Sequence, residues 1–442
     1  MDMSLNVREA AATPAPLFEP PMPTSIQETG LTLGFLADLA IKIMYFEGYI
    51  SGYEIAERMK LAYSGVVDDI LEFLKREQFC EVKGAGGLGE SGYQYVISAK
   101  GSEKAREVLD RGQYVGPAPV PLEAYTEAFR RQPWQNEAIH QSVVHQALSH
   151  LVLNERIYNQ VGPAVNSGRS VFLYGPPGNG KTAIAESIGL MIFREDIYVP
   201  YAVEVDGQII KVFDSINHRP VEENREASSS KNKIGSSRID RRWIKIHRPF
   251  IVTGGELTLE GLDLVYDSVS KYYEAPFQMR ANGGMLLIDD FGRQQVRPRE
   301  LLNRWIVPLE KRVDFLTLHT GRKIEIPFDM LIAFATNLAP ADLVDEAFLR
   351  RIRHKIQIRD PSFEEYREIF KRVCNQKGVP YDEEALAYLL KEHYIKPQMP
   401  LRACHPRDII DQLIDIARYQ NRPPVLARDL IDQACDAYFV EL

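Results

Sequence analysis

The chain has 442 residues, of which 45% are hydrophobic and 26% charged, and its formal net charge is −8. That length implies two or three domains, and the acidic balance excludes a chain-wide electrostatic attraction to nucleic acid or anionic membranes. No run of about 18 apolar residues occurs and no basic segment precedes an apolar core near residue 1, so neither a membrane span nor a secretory leader is expected.

Residues 1–29 are rich in Ala, Pro, Ser and Thr with little hydrophobic pattern, and are expected to be a disordered tail. A compact unit follows over 30–112. Residues 33–45 are helix-like, Ser51 with Glu54 three positions on marks a helix start, and 66–79 carry apolar residues at helical spacing. Cys80-Glu-Val-Lys, a glycine-rich tip and Tyr93-Gln-Tyr-Val-Ile then read as a hairpin. Three helices and a hairpin resemble a small α+β winged-helix domain. Its ten Lys/Arg stand against thirteen Asp/Glu, and Asp68, Asp69 and Glu72 lie on its third helix. A DNA reader needs cations against phosphates, so docking of a protein partner is the preferred role. Residues 113–133, with Gly116-Pro-Ala-Pro-Val-Pro, read as a semi-extended linker.

Residues 134–166 are expected to be largely helical and to lead into the apolar run Val171-Phe-Leu-Tyr. That run breaks into Gly175, Pro176, Pro177, Gly178, Asn179, Gly180, Lys181 and Thr182, with helix-compatible sequence directly after. This is the G-x-x-x-x-G-K-[ST] pattern, whose backbone N–H groups cradle a polyphosphate while Lys181 meets the β/γ-phosphates and Thr182 ligates Mg²⁺. ATP binding with Mg²⁺ is the expectation. The next segment is unusually long, with an insertion at about 201–248. Alternation around Asp206-Gly207 gives a strong hairpin signal. Over 219–248, nine Lys/Arg against four Asp/Glu surround Trp243, a composition that fits a grip on nucleic acid or an acidic polypeptide. A strand with one solvated cationic face fits it equally well.

Gly284-Met-Leu-Leu-Ile-Asp289-Asp290 is a buried-strand pattern ending in two acids, a Walker B arrangement in which Asp289 orients Mg²⁺ and Asp290 polarises the attacking water. Residues 314–318 and 323–326 flank a hairpin turn. A strand over 330–337 ends in Asn337, Arg350 and Arg351 follow, and Arg407 opens a helix within a tail, 361–442, expected to be all-helical. In this order the set resembles the AAA+ ATPase family over roughly 134–442. The resemblance implies an α/β three-layer nucleotide-binding domain at 134–360 and a helical lid at 361–442. It also implies sensor 1 at Asn337, an arginine finger at Arg350 or Arg351, sensor 2 at Arg407, and a ring of identical subunits, a hexamer by family habit. The region after Asp290 and the hairpin before the 330–337 strand are similar to the MoxR-like, helix-2-insert and pre-sensor-1 hairpin branch. A protein-remodelling chaperone is the function this implies. A DNA-associated AAA+ factor and a slow-turnover, ATP-gated scaffold are the alternatives, the second because Asp290 stands where the family has Glu. Cys80, Cys374, Cys404 and Cys435 lack metal-ligand spacing and read as reduced thiols of a cytoplasmic protein.

Overall fold

The computed structural model describes residues 18–85, 92–133, 138–192, 196–222, 238–343 and 349–439. Its centre is a five-stranded parallel sheet in the order Phe250–Thr253, Met285–Ile288, Leu331–Thr336, Ser170–Tyr174, His354–Gln357. Strand residues alternate between two covered faces. Met285, Leu287, Leu331 and Ala333 pack with helices Gln141–Ala147, Glu155–Ser167 and Lys181–Ile192. Leu286, Ile288, Ile332 and Phe334 pack on the opposite face with Leu301, Leu302 and Trp305. The result is a three-layer α/β domain, as expected.

The insertion is larger than its sequence limits suggested. Ala202–Val205 and Gln208–Lys211 pair around Asp206 (φ 52°) and Gly207 (φ 75°), the left-handed pair that a two-residue hairpin requires. Val265–Tyr266, Tyr273–Glu274 and Val120–Pro121 join this hairpin in one sheet. The pair Asp196–Pro200 with Trp243–His247, and the hairpin Val313–Thr317 with Lys323–Pro327, complete an accessory β body with its own core around Phe129, Ile210, Ile246 and Ile326.

Two expectations are corrected here. The linker is only partly extended, because Leu122–Arg131 is a helix that buries Tyr125, Ala128 and Phe129 in the accessory core. Pro121, with φ −60° and ψ 150°, is the extended N-cap residue leading directly into it, so the proline-rich run hid a helix beginning. The tail assigned to 1–29 is packed from residue 18 onward: Phe18 meets the Trp243 ring edge-on, Ser25 caps helix Ile26–Thr29, and Thr29 is buried. Residues 1–17 lie outside the described residues. Among the described residues of the basic stretch, four cations are engaged within the protein. Arg242 is buried, pairs with Asp240 at 2.8 Å, and donates to the carbonyls of Thr29 (2.9 Å) and Pro119 (3.2 Å). Arg241 bonds Glu57, Arg248 donates to the Gly283 and Pro133 carbonyls, and Lys245 pairs with Asp196. Burial of the guanidinium groups requires such partners. The polar segment 223–237 lies outside the described residues.

At the N-terminal end, helix Leu33–Glu47 is followed by strand Tyr49–Ser51 and helix Gly52–Met59, with Ser51 and Glu54 forming a reciprocal capping box. Helix Asp68–Arg76 comes next, then Cys80–Ala85 paired with Tyr93–Ile97, the latter also pairing with Tyr49–Ser51. Most of the glycine-rich hairpin tip, 86–91, lies outside the described residues. A further helix, Ala99–Arg111, packs back on Leu33–Glu47. The C-terminal region is helical as expected, with helices Phe363–Lys377, Glu383–Leu390, His405–Tyr419 and Arg428–Tyr438 around one core.

Candidate nucleotide-binding site

Strand Ser170–Tyr174 runs into the loop at Gly175, whose φ is 142°. A Cβ there would stand 1.9 Å from the Ile358 carbonyl oxygen, so only glycine fits between the two adjacent chain segments. Gly178 (φ 75°) and Gly180 (φ 80°) turn the chain into helix Lys181–Ile192. This strand–loop–helix context is what the sequence pattern needs to act as a phosphate cradle. Lys181 is buried and folds back to donate to the carbonyls of Gly175 (3.0 Å) and Pro176 (2.9 Å). Burial lowers its pKa, against the opposing pull of Asp290 and Asp289.

Asp289 and Asp290 follow strand Met285–Ile288 directly, and Asn337 follows Leu331–Thr336, the strand lying between the acids and the loop strand. Because the three strands are parallel, their C-terminal ends bring these residues together. The Thr182 hydroxyl donates to Asp289, 3.0 and 3.2 Å from its two carboxylate oxygens. Asn337 Nδ2 donates to Asp290 Oδ1 at 3.2 Å. Asp290 has φ 47°, and its backbone N–H donates to the Asp289 carboxylate at 2.9 Å. Gln294, absent from the sequence-based set, donates to the Asp289 carbonyl and accepts from the Gly292 N–H, closing the turn after the acids.

A second contact missed from sequence joins the loop to the helical region. The Asn179 side chain is buried; Nδ2 donates to Asp360 at 2.7 Å and Oδ1 accepts from the Ala403 N–H at 3.0 Å. Cys404 N donates to the Gly178 carbonyl at 2.8 Å, and Arg402 pairs with Asp360. Beside this junction is a narrow cleft whose walls include Leu153, Ile157, Asn179, Ile358 and Ala403. Arg407, expected as sensor 2, has a largely exposed side chain and pairs with its neighbour Asp408. Arg402 is therefore the arginine bound at the loop–lid junction. Arg351 is held by Glu310, whereas Arg350 is exposed. Burial raises the thiol pKa of all four cysteines, to about 11 for Cys80 and Cys374 and about 12 for Cys435.

A family described as a domain of unknown function (DUF8689) matches residues 362–437, which is the helical region alone. No curated protein matches the chain. Among solved structures, NtrX from Brucella abortus in complex with ADP is similar at 17% identity and a TM-score of 0.38, over 74% of this chain and 64% of that one. Another NtrX structure gives 15% identity and a TM-score of 0.39, over 67% of this chain and 57% of that one. The chain thus spans less than two thirds of these NtrX chains. The Thermotoga maritima RuvB Holliday junction branch migration motor is similar at 14% identity and a TM-score of 0.35, over 69% of this chain and 71% of that one. Among the described residues, no helix is long and apolar enough to cross a membrane.

Proposed function

We propose that the chain is an AAA+ ATPase that hydrolyses ATP with Mg²⁺ in a ring of identical subunits and uses the turnover to remodel a protein partner. The observation that carries this reading is the meeting of Lys181, Thr182, Asp289, Asp290 and Asn337 at one end of three adjacent parallel strands. Thr182 and Asp289 offer the hard oxygen donors that would hold Mg²⁺, whose charge would neutralise the phosphates. Lys181 exchanges its loop carbonyls for the β- and γ-phosphates. Asp290 accepts a hydrogen bond from the attacking water while Asn337 fixes the carboxylate. The narrow cleft lined by Leu153, Ile358 and Ala403 lies beside the loop, and it would have to widen to admit the nucleoside. Arg350 stabilises charge on a neighbour's γ-phosphate.

The hairpin Val313–Thr317/Lys323–Pro327 immediately before the Asn337 strand supports the MoxR-like, pre-sensor-1 hairpin placement. The helix–strand–helix–helix–hairpin order of 33–97 supports a winged helix, whose acidic third helix favours a protein partner over DNA. The internal pairing of Arg241, Arg242 and Arg248 weighs against the DNA-associated alternative. Steady-state ATP hydrolysis by the wild type, Lys181→Ala and Asp290→Asn tests the enzyme reading. Both variants are expected to lose about 10²-fold or more in turnover, with nucleotide binding retained in Asp290→Asn. Wild-type turnover no faster than either variant rejects hydrolysis and leaves the ATP-gated scaffold.

A further inference from the structure

A cleft of about 510 Å³ lies where the N-terminal unit meets the accessory β body, and none of its lining residues belongs to the phosphate loop. Its volume falls in the range of about 300–1,000 Å³ typical of small-molecule sites. One wall is a helical stripe, Phe35, Asp38, Leu39 and Lys42, at positions i, i+3, i+4 and i+7 of helix Leu33–Glu47. The facing wall carries Tyr114, Tyr266, Tyr272 and His319, with His319 stacked on Tyr266 at 4.3 Å. The Gln113 N–H donates to the Ser270 carbonyl at 2.8 Å and the Lys42 ammonium to the Gly112 carbonyl at 3.1 Å, so the segment through Tyr114 is tied both to the Tyr272 segment and to helix Leu33–Glu47.

The charge in the cleft is unbalanced. Its cations, Lys42, Arg111 and Lys271, outnumber its carboxylates, Asp38 and Asp206; Asp38 lies 3.6 Å from Arg111 and also attracts Lys42, and Asp206 pairs with Arg322. Lys42 is only 5% exposed, and its ammonium donates to one acceptor among the described residues, the Gly112 carbonyl at 3.1 Å. An ammonium has three donors, and a buried one short of acceptors is costly. Burial lowers its pKa to about 8, which leaves it charged at neutral pH. An anion reaching Lys42 would supply the missing acceptors, and the tyrosines beside it offer π-faces to a ring.

We propose that this cleft is a second ligand site, separate from the phosphate loop, for a small molecule that joins a carboxylate or phosphate to a planar aromatic body. The anionic group meets Lys42, and the ring lies against Tyr114 and Tyr272. Benzoate and phenyl phosphate are the probes, titrated by calorimetry into the full chain with saturating ADP and Mg²⁺ present. Acetate, inorganic phosphate and phenol supply the charge or the ring alone. One or both aromatic anions are expected to bind saturably, one per chain, and whichever binds identifies the anionic group. The three partial probes are expected to bind at least tenfold more weakly. Lys42→Met should weaken binding at least tenfold, Lys42→Arg should restore part of it, and Lys181→Ala should leave it unchanged. Tyr272→Ala, at the half-buried rim, provides a second test that does not remove a buried charge. Absence of saturable binding by both aromatic anions overturns the proposal. So does binding indifferent to both Lys42→Met and Tyr272→Ala, or binding abolished by Lys181→Ala.

Discussion

Asp290 is the residue whose identity the backbone explains. Its φ of 47° lies in the left-handed region, where a short side chain that can bond locally is tolerated and a longer one is strained. Its carboxylate already receives Asn337 at 3.2 Å without the additional methylene of a glutamate. The departure from the Asp-Glu ending of the AAA+ family that the chain resembles therefore has a local conformational reason, and introducing glutamate is not expected to speed turnover. Asp290→Glu should lower stability by about 1 kcal/mol, read as a fall of a few degrees in thermal midpoint, and should leave ATP turnover at or below the wild-type rate. Faster turnover would instead mean that carboxylate reach, and not backbone fit, limits this position.

The junction between the phosphate loop and the lid is held at the scale of elements by Asn179. Its amide satisfies Asp360 on the segment leading to helix Phe363–Lys377 and the Ala403 N–H just before helix His405–Tyr419. Truncation to alanine would leave both partners short of a hydrogen bond, a loss of about 1–3 kcal/mol. Lid angle and loop would then move independently, which should weaken nucleotide capture more than chemistry. Asn179→Ala is expected to raise KM for ATP by about tenfold while kcat stays within about threefold; unchanged KM would remove Asn179 from this role. None of this junction was legible in the sequence, because its partners are 181 and 224 positions apart. The loop itself, the acidic strand end, the Asp206–Gly207 turn and the lid helices were legible, because each depends on residues within one or two turns. Helix Leu122–Arg131 has its own apolar spacing at Tyr125, Ala128 and Phe129 but sits behind a proline-rich run that favours extended chain. The fates of Arg241 and Arg242 were illegible for the same reason as Asn179: Glu57 and Thr29 are brought to them only by packing of the N-terminal unit on the accessory body.

At the scale of the whole molecule, the proposed finger arginine bears on whether one chain can complete its own site. Strand His354–Gln357 runs parallel to Ser170–Tyr174, and the phosphate loop follows the C-terminal end of that pair. Arg350 and Arg351 precede it, and the Arg351 carbonyl lies within 3.4 Å of the Ser170 hydroxyl, at the far end. A five-residue strand spans roughly 16 Å, so an arginine at its start is poorly placed to reach phosphates beyond its end. Arg351 is also engaged with Glu310, which leaves Arg350 as the residue available to a neighbour. Arg350→Ala should therefore reduce turnover by about 10³-fold while sparing nucleotide binding, whereas Arg351→Ala should act chiefly through the lost Glu310 pair. A finger acting between subunits makes a sharper demand. Arg350→Ala subunits retain an intact phosphate loop, and Lys181→Ala subunits retain the finger, so each is nearly inactive alone. An equal mixture that exchanges subunits should regain activity at roughly a quarter of its interfaces, where a Lys181→Ala subunit presents Arg350 to an Arg350→Ala neighbour. Sedimentation confirms that the mixture assembles, and the ATPase rate reads the complementation. A mixture that assembles but is no more active than its parents places the finger elsewhere.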